Sequence, residues 1–326
     1  MSKFTLVVDS SQISSFLECP QKWINYYVKR LEPIGFQPDE DAMDSGTYGH
    51  RLLDIFYRLK FKGVGLNDAV KVMNDYDPDT DMCECGCSKD FHCPVTIAPS
   101  IEECRRCNKC TKFRAHPFNL NSKARTKVRN RVRDYLYKYQ QNDIVPLSDQ
   151  HVEVGFSETI YEDSDNLFVL EGRIDLIGTL QGLPCFMDHK FQMKTHWLYL
   201  RSIQIKNYML ISRMPMAVIN YIRLQDKIQP DSLVRDVVSL NSVELAAWHK
   251  RLIQVFFRMK KTLQANNSKT EMDRNWNSCS GGRLTFDKDK SQYCWFTQLC
   301  EEIDPVIAEQ KEKTLFKIKE NAWRPW

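Results

Sequence analysis

The segment of residues 172–191, GRIDLIGTLQGLPCFMDHKF, places charged residues inside an apolar stretch that reads as two strands. Asp175 falls late in the first strand, and Asp188 and Lys190 share one face of the second because strand side chains alternate. If the strands pair, two carboxylates that repel each other meet at one sheet edge, where Mg²⁺ or Mn²⁺ relieves the repulsion by taking oxygen ligands. The pattern indicates metal-assisted phosphodiester hydrolysis, with Lys190 orienting or deprotonating water or neutralising phosphate charge. A surface hairpin with an Asp–Lys ion pair is the alternative.

A second group of metal ligands is concentrated in residues 83–116, where cysteines and histidines are dense. The chain has 12 cysteines, and its start, MSKFTLVVDSSQ, lacks the features of a signal peptide, so cysteine clusters favour metal sites over disulfides. We expect a structural zinc module with one or two ions. The ligands expected for one Zn²⁺ are Cys85, His92, Cys107 and Cys110, with Cys83 and Cys104 as substitutes. A loop of exposed thiols is the alternative.

Four short motifs, GTYGH, GRID, DHK and QIKNY, occur in this order within residues 11–213. Together they resemble the RecB-like branch of the PD-(D/E)XK nucleases. The resemblance implies that His50, Asp175 and Asp188 hold the metal and that Lys190 assists catalysis. It also implies that Gln204 and Tyr208 position the phosphate or the lysine through hydrogen bonds. The residues that could instead have ordinary packing or helix-surface roles are His50, Gln204 and Tyr208, while Glu153 is either a supporting acid beside the site or part of a salt bridge.

The remaining cysteines resemble those of the family's iron–sulfur members, found in AddB, the CRISPR-adaptation exonuclease and phage proteins. The implied ligands of a [4Fe–4S] cluster are Cys19, Cys279, Cys294 and Cys300. Such a cluster would join the two ends of the chain and have a structural role. Thiolates also accept zinc, and unrelated buried cysteines are the further alternative.

The elements that must position these residues form a mixed α/β pattern. Apolar periodicity predicts helices over residues 11–29, with a break at Cys19, and over 45–61, 119–141, 198–213 and 241–264. Strands are predicted over residues 150–160, 167–178, 184–191 and 216–225. The expected fold is a PD-(D/E)XK restriction-endonuclease-like core, a mixed sheet flanked by helices. The expected domains are an N-terminal helical part (1–74), the zinc module (75–117), the catalytic core (118–265) and the iron–sulfur segment (266–326).

Charge and composition limit the functional classes. With 42% hydrophobic and 27% charged residues, the chain can bury a core, and a net charge of +4 permits nucleic-acid binding without requiring it. No segment approaches the roughly 20 apolar residues that span a bilayer, so we expect a cytoplasmic protein of a bacterium or a phage-infected host. The basic helix over residues 119–141 is expected to contact phosphates, with a solvated face as the alternative.

The sequence therefore predicts a Mg²⁺- or Mn²⁺-dependent deoxyribonuclease. The resemblance implies an exonuclease acting on single-stranded DNA or DNA ends in recombination, replication or repair, with replication or recombination proteins as partners. A non-catalytic iron–sulfur or zinc DNA-binding or adaptor protein is the alternative. A redox iron–sulfur enzyme is a further alternative, although the sequence lacks a glycine-rich dinucleotide loop. Cleavage polarity and oligomeric state do not follow from the sequence.

Overall fold

The structure is a computed structural model that describes residues 3–34, 40–76, 120–192, 202–225, 229, 232–267, 294–300 and 304–319. The expected zinc ligands lie outside the described residues, and so does Cys279. Within the described part, no helix is long and apolar enough to cross a membrane.

The secondary structure alternates between helices and strands along the chain. The first elements are strand β1 (Phe4–Asp9), helices α1 (Ser10–Glu18) and α2 (Pro20–Trp23), a π-helical turn (Ile24–Val28), strand β2 (Leu31–Pro33), and helices α3 (Glu40–Phe61), α4 (Leu66–Asp75) and α5 (Ser122–Tyr139). The central elements are strands β3 (Val145–Pro146), β4 (Val152–Glu162), β5 (Asn166–Leu180) and β6 (Leu183–Gln192), helix α6 (Ile203–Ser212), and strands β7 (Met216–Arg223) and β8 (Leu233–Ser239). The last elements are helices α7 (Ser242–Asn267), α8 (Thr297–Cys300) and α9 (Pro305–Leu315) and strand β9 (Phe316–Ile318).

Seven strands form one mixed sheet in the order β1-β5-β6-β7-β8, and β3 and β4 also pair with β5. The pairs β1–β5 and β6–β7 are parallel, whereas β5–β6 and β7–β8 are antiparallel. Strands β2 and β9 form a separate antiparallel pair. The fold is therefore a mixed α/β fold with a central mixed sheet and flanking helices, as the sequence predicted.

The residues group into two compact units. The first contains Met1–Pro38, Phe156–Gly172 and Asn241–Pro325, and the second contains Asp39–Gly155 and Arg173–Leu240. Strands β4 and β5 contribute residues to both. The four domains expected from the sequence remain a prediction, because the described residues do not include most of the inserted segment.

In the second unit, successive side chains of β6 point to opposite faces of the sheet and therefore contact different helices. Cys185 and Met187 face the apolar cluster that α3 and α5 complete with Leu52 and Val132. Phe186 points to the other face, where its ring lies 6.0 Å from that of Tyr208 on α6. The charged residues of β6 therefore share the α6 face with Phe186, since side chains two residues apart lie on one side of a strand.

The first unit contains two groups of packed apolar side chains. Phe168 on β5 stacks on Phe256 of α7 with ring centroids 5.2 Å apart. A smaller cluster joins β2 to the C-terminal elements. Its buried residues are Leu31, Phe296, Leu299, Cys300 and Phe316.

The structure departs from the predicted elements mainly where segments are short. The helix expected over 11–29 is broken after Glu18, and Pro20 starts a new helix at its first position, as expected from its missing N–H group. Between the helices predicted over residues 11–29 and 45–61, the structure contains β2 and the start of α3. Strand β1 was not predicted. It is a short segment whose parallel partner in β5 lies far along the chain.

Candidate active site

The β5–β6 hairpin brings the two aspartates of the sequence motif side by side. Gln181 and Gly182 have φ values of 52° and 79°, the left-handed backbone that a two-residue hairpin turn of the I′ type requires. This turn fixes the register at Leu180 opposite Leu183 and Leu176 opposite Met187, so Asp175 falls beside Asp188. Both carboxylates are buried, at 9% and 2% exposure.

A trio of possible metal ligands lies at this point of the second unit. The Nδ1 atom of His50, on α3, is 3.4 Å from Oδ2 of Asp175 and 3.8 Å from Oε1 of Glu153. One ligand atom from each of the three residues lies within 4.8 Å of the other two. An imidazole nitrogen with two carboxylates is a donor set that suits a divalent cation such as Mg²⁺ or Mn²⁺.

Glu153 enters this trio through an unusual backbone conformation. Its φ is 56°, which is rare for a residue other than glycine, and its Oε2 atom lies 2.8 Å from Nε of Arg173. The sequence left open whether Glu153 supports the site or makes a salt bridge. The structure shows the salt bridge with Arg173 through one carboxylate oxygen and places the other oxygen beside His50. Strained residues of this kind cluster at functional sites.

Asp188 lies outside the trio and is held in a chain of polar contacts on the α6 face. The Nζ atom of Lys190 lies 2.7 Å from Oδ2 of Asp188 and donates to Oε1 of Gln204 at 2.9 Å. The Nε2 atom of Gln204 lies 3.3 Å from Oδ1 of Asp188 and 3.0 Å from the hydroxyl of Tyr208. The structure therefore brings together all four residues that the sequence selected on β6 and α6.

The electrostatics of the site also fit a bound cation. Burial raises the pKa of Asp175 well above its usual range, and the neighbouring carboxylates of Asp188 and Glu153 raise it further. Burial, together with the charges of Arg173 and Lys190, lowers the pKa of His50 to about 3, so its imidazole is neutral and has a lone pair to donate. Among the described residues, the Nδ1 atom of His50 is buried and makes no hydrogen bond. A divalent cation would relieve the carboxylate repulsion and give this nitrogen a partner.

Behind the site, on the α3 and α5 face of the sheet, a buried row of polar residues crosses three strands. His189, Asn220 and Arg235 are register neighbours on β6, β7 and β8. The amide nitrogen of Asn220 lies 3.3 Å from Nδ1 of His189, and Nε of Arg235 donates to Oδ1 of Asn220 at 2.8 Å. The backbone N–H of His189 donates to Oδ2 of Asp175 at 2.6 Å. The row therefore ends on a carboxylate of the candidate metal trio.

The outer end of this row is anchored by charged and phenolic groups. Arg235 donates to Oδ1 of Asp143 at 2.9 Å and to the hydroxyl of Tyr135 at 2.6 Å, and Lys60 donates to Oδ2 of Asp143 at 2.9 Å. Neither Asn220 nor Arg235 was predicted as a site residue. Their only signal was a polar residue inside each of two strand-like segments, and their connection depends on the register of three strands.

The first unit contains three described cysteines, one in its N-terminal segment and two in its C-terminal segment. Cys19 and Cys300 are buried, and Cys294 is partly buried against the cluster that contains Leu31 and Phe316. Burial raises the pKa of the Cys294 thiol, and Cys19 lies close enough to raise it further. Three of the four cysteines expected to hold an iron–sulfur cluster are thus described.

A family model for the PD-(D/E)XK nuclease superfamily matches residues 10–301. The chain belongs to the PD-(D/E)XK nuclease superfamily. This nuclease superfamily uses divalent metals, in agreement with the His50, Glu153 and Asp175 trio. The family match does not distinguish the RecB-like iron–sulfur branch from others.

Two solved structures show weak similarity to this PD-(D/E)XK nuclease. One, from Eubacterium rectale, is of a protein proposed to be an exonuclease; it has 12% identity and a TM-score of 0.38, and the match covers 85% of this chain and 88% of that one. The other is SSO0001, with 14% identity and a TM-score of 0.23, and the match covers 32% of this chain and 49% of that one. No curated protein matches the sequence.

Proposed function

We propose that this protein is a Mg²⁺- or Mn²⁺-dependent deoxyribonuclease that acts as an exonuclease on single-stranded DNA or DNA ends. The observation that carries the proposal is the position of Lys190 beside two acids in a member of a nuclease superfamily. Its ammonium is held by Asp188 at 2.7 Å and by Gln204 at 2.9 Å, while Asp175 belongs to the adjacent metal-ligand trio. The proposed biological setting is recombination, replication or repair in a bacterial or phage-infected cytoplasm.

The proposed ligands of the cation are His50 and Asp175 together with a third carboxylate. The sequence motif indicates Asp188 as this third ligand, whereas the geometry favours Glu153. When bound, the divalent cation supplies Lewis-acid stabilisation of the phosphodiester and lowers the pKa of the attacking water. His50 contributes a neutral nitrogen because its pKa is low.

The other residues of the site act on the phosphate and on the proton. Lys190 stabilises negative charge that develops on the phosphate, or orients the water that attacks it. Gln204 fixes Lys190 because its carbonyl oxygen accepts from Nζ, while its amide contacts the hydroxyl of Tyr208. Tyr208 stays protonated, since burial and the charge of Asp188 raise its pKa, and it therefore supports Gln204 as a neutral hydroxyl.

The decisive experiment is a cleavage time course on end-labelled single- and double-stranded DNA with Mg²⁺ or Mn²⁺. We expect wild type to shorten labelled strands from an end and Lys190→Ala to lose at least 100-fold in rate, as is common when an electrostatic group is removed. Lys313→Ala is the control, because Lys313 belongs to the first unit, pairs with Glu309 at 2.7 Å on the surface of α9, and lies outside the basic helix α5. Intact DNA after incubation of wild type with Mn²⁺ would favour the non-catalytic alternative, and cleavage of circular single strands would show an endonuclease.

We also propose that Cys19, Cys279, Cys294 and Cys300 hold a [4Fe–4S] cluster with a structural role. Four thiolates match the ligand requirement of this cluster, and the packing of Cys294 against the apolar cluster that contains Cys300 supports the proposal. Anaerobically purified protein should be brown and contain iron, and Cys300→Ser should lose most of it. Cys185→Ser is the matched control, since Cys185 is buried on β6 beside the apolar cluster of the second unit. Zinc without iron in the wild type would contradict the cluster.

The inserted segment is proposed to bind zinc through Cys85, His92, Cys107 and Cys110, with Cys83 and Cys104 as substitutes. The density of thiols and histidine in a short stretch supports this assignment. Metal analysis of the purified protein should find at least one zinc per chain, and Cys107→Ser/Cys110→Ser should lower that number. An unchanged zinc content in this variant would contradict it.

A further inference from the structure

Helix α5 carries a concentration of positive charge. Its residues include seven lysines and arginines and one aspartate, a net charge of +6, whereas the whole chain carries +4. Several of these cations have structural roles. Arg129 donates to the carbonyl of Tyr76 at 2.7 Å, and Lys138 donates to that of Leu233 at 2.7 Å.

Four further cations of α5 line one cleft in the second unit. The cleft has a volume of about 530 Å³, and four of its lining residues are Lys123, Lys127, Arg131 and Arg133. Among the described residues that line it, Asp134 is the only carboxylate. The described lining residues thus carry three more positive than negative charges, a local excess that favours binding of an anion with several charges.

Arg131 gives this cleft a fixed rather than a mobile positive charge. It is 4% exposed, and its guanidinium donates to the carbonyls of Arg223 at 3.0 Å and Gln225 at 2.6 Å. Because these bonds hold the group at the end of β7, Arg131 presents its charge without further loss of side-chain entropy. Short polar side chains, including Thr126 and Asn130, lie on the same wall. Lysine, arginine, threonine and asparagine are the residue types that contact nucleic-acid phosphates and sugars.

The cleft lies beyond the end of the strand that neighbours the catalytic lysine. Lys190 on β6 is in register with Tyr221 on β7, and Gln225, which lines the cleft, follows four residues later. At about 3.3 Å per residue, this separation along the strand direction is roughly 13 Å. Because Lys190 lies on the α6 face of the sheet and α5 packs on the other face, a strand held at Lys190 would pass the end of β7 to reach the cleft.

We propose that this cleft binds the phosphate backbone of the nucleic-acid strand on one side of the cleavage point. The proposal rests on the nuclease function proposed above and names the surface that holds the uncleaved part of the substrate. The contacts are electrostatic and independent of base sequence, since the lining offers cations and short polar groups but no aromatic ring for stacking among its described residues.

The test is binding without cleavage. Fluorescent oligothymidylate and oligouridylate are titrated with wild type and with Lys123→Gln/Lys127→Gln/Arg133→Gln in EDTA, and anisotropy gives the affinity over a series of salt concentrations. Each phosphate contact contributes about 0.7 to the slope of log K against log salt on a single strand, so loss of three contacts should lower the slope by about 2. Equal shifts for both oligomers are expected for backbone contacts. A shift for DNA alone would show that the cleft reads the sugar and would overturn a purely phosphate-binding role.

The matched control removes the same charge elsewhere. Lys3→Gln/Lys313→Gln/Lys317→Gln neutralises three lysines that form ion pairs with Glu162, Glu309 and Glu32 in the first unit. Its slope should equal that of wild type. If both triple variants change the slope equally, the effect is one of net charge, and the cleft proposal is wrong.

A single variant with the opposite expected effect guards against misfolding as an explanation. Asp134→Asn removes the carboxylate that lies 3.6 Å from NH1 of Arg131 and 3.7 Å from NH2 of Arg133. It should bind the oligonucleotides more tightly than wild type, which a damaged fold would not do. Unchanged or weaker binding by Asp134→Asn would overturn the proposal. A wild type that binds oligonucleotides with the expected slope but does not cleave them would leave the cleft in place and refute the nuclease function.

Discussion

At the Asp175 carboxyl, burial and the charges of Asp188 and Glu153 raise the pKa above its ordinary range. A carboxyl with a higher pKa in the folded than in the unfolded protein adds stability below its unfolded pKa and loses that contribution as pH rises through the folded pKa. In EDTA, Asp175→Asn should therefore be more stable than wild type at pH 7, because the neutral amide avoids the burial and repulsion that disfavour the wild-type carboxylate. The same variant should lose cleavage. Urea unfolding at several pH values measures the difference, which should shrink as pH falls toward 4.

The control for this prediction has the opposite sign. The hydroxyl of Tyr161, with the backbone of Asp165 and the side chain of Asn166, lowers the pKa of Asp163 to about 2. Its carboxylate adds stability above the unfolded pKa that disappears as pH falls through the folded one. Asp163→Asn should thus be less stable than wild type at pH 7. If both variants shift stability in one direction, local electrostatics does not control either effect.

Asn220 is a positioning residue, because it reaches the metal trio only through His189. Its side chain joins Arg235 to the imidazole of His189, whose backbone N–H binds Asp175. Groups bonded directly to metal ligands typically contribute 10–100-fold to metal affinity. Asn220 acts one contact further away, so Asn220→Leu should weaken Mn²⁺ binding by about the lower end of that range, roughly 10-fold. Calorimetric titration of folded protein with Mn²⁺ measures it.

Ser232→Ala is the matched control for Asn220→Leu. Ser232 is as buried as Asn220, lies in the same β7–β8 hairpin, and accepts from the N–H of Gln229 at 2.7 Å. Its loss should lower stability without changing Mn²⁺ affinity. Equal Mn²⁺ affinities for wild type and Asn220→Leu would show that the polar row serves stability alone.

At the scale of elements, the approach of α3 to β6 sets the position of His50. A Cβ atom at Gly49 would lie 2.5 Å from the ring of Phe191, closer than packed atoms allow. Gly49→Ala should therefore push α3 away from β6, cost about 1–3 kcal/mol as overpacking does, and weaken Mn²⁺ binding because His50 is the next residue. Chemical denaturation and Mn²⁺ titration measure the two effects.

The same helix provides the control for this substitution. A Cβ atom at Gly46 meets nothing within 4 Å, so Gly46→Ala should stabilise the protein by about 0.5–1 kcal/mol through helix propensity alone. Adding Phe191→Leu to Gly49→Ala should recover part of the lost stability. If Gly49→Ala behaves like Gly46→Ala, close contact between these elements does not position His50.

The sequence predicted the elements that carry strong patterns and the residues that lie on them. The hairpin signal QGLP and the apolar strands around it led to Asp175, Asp188 and Lys190, and the spacing of Gln204 and Tyr208 fits one face of α6. Strand β8 was missed, since Arg235 and Asp236 interrupt its apolar run. The place of Glu153 in the trio could not be predicted, because it depends on a left-handed backbone that no local pattern signals.

At the scale of the whole molecule, the first unit depends on its C-terminal elements. Phe316 on β9 stacks on Phe296 with centroids 5.4 Å apart, and it belongs to the cluster with Leu31 and Cys300. Phe316→Ala should cost about 3–5 kcal/mol, typical for a buried phenylalanine, and lower the iron content if the proposed cluster forms there. Mn²⁺ affinity should be unchanged, since the metal trio belongs to the second unit. Loss of Mn²⁺ affinity would show that the two units are coupled energetically.

The pairing of β1 with β5 has a consequence for synthesis on the ribosome. Phe4 pairs with Asn166, so β1 cannot form its pairing with β5 until the ribosome has added 162 further residues. At about 5–20 residues per second, translation takes roughly 10–30 s to supply it. During that interval the nascent chain exposes an apolar edge, FTLVVD, to chaperones and to neighbouring chains.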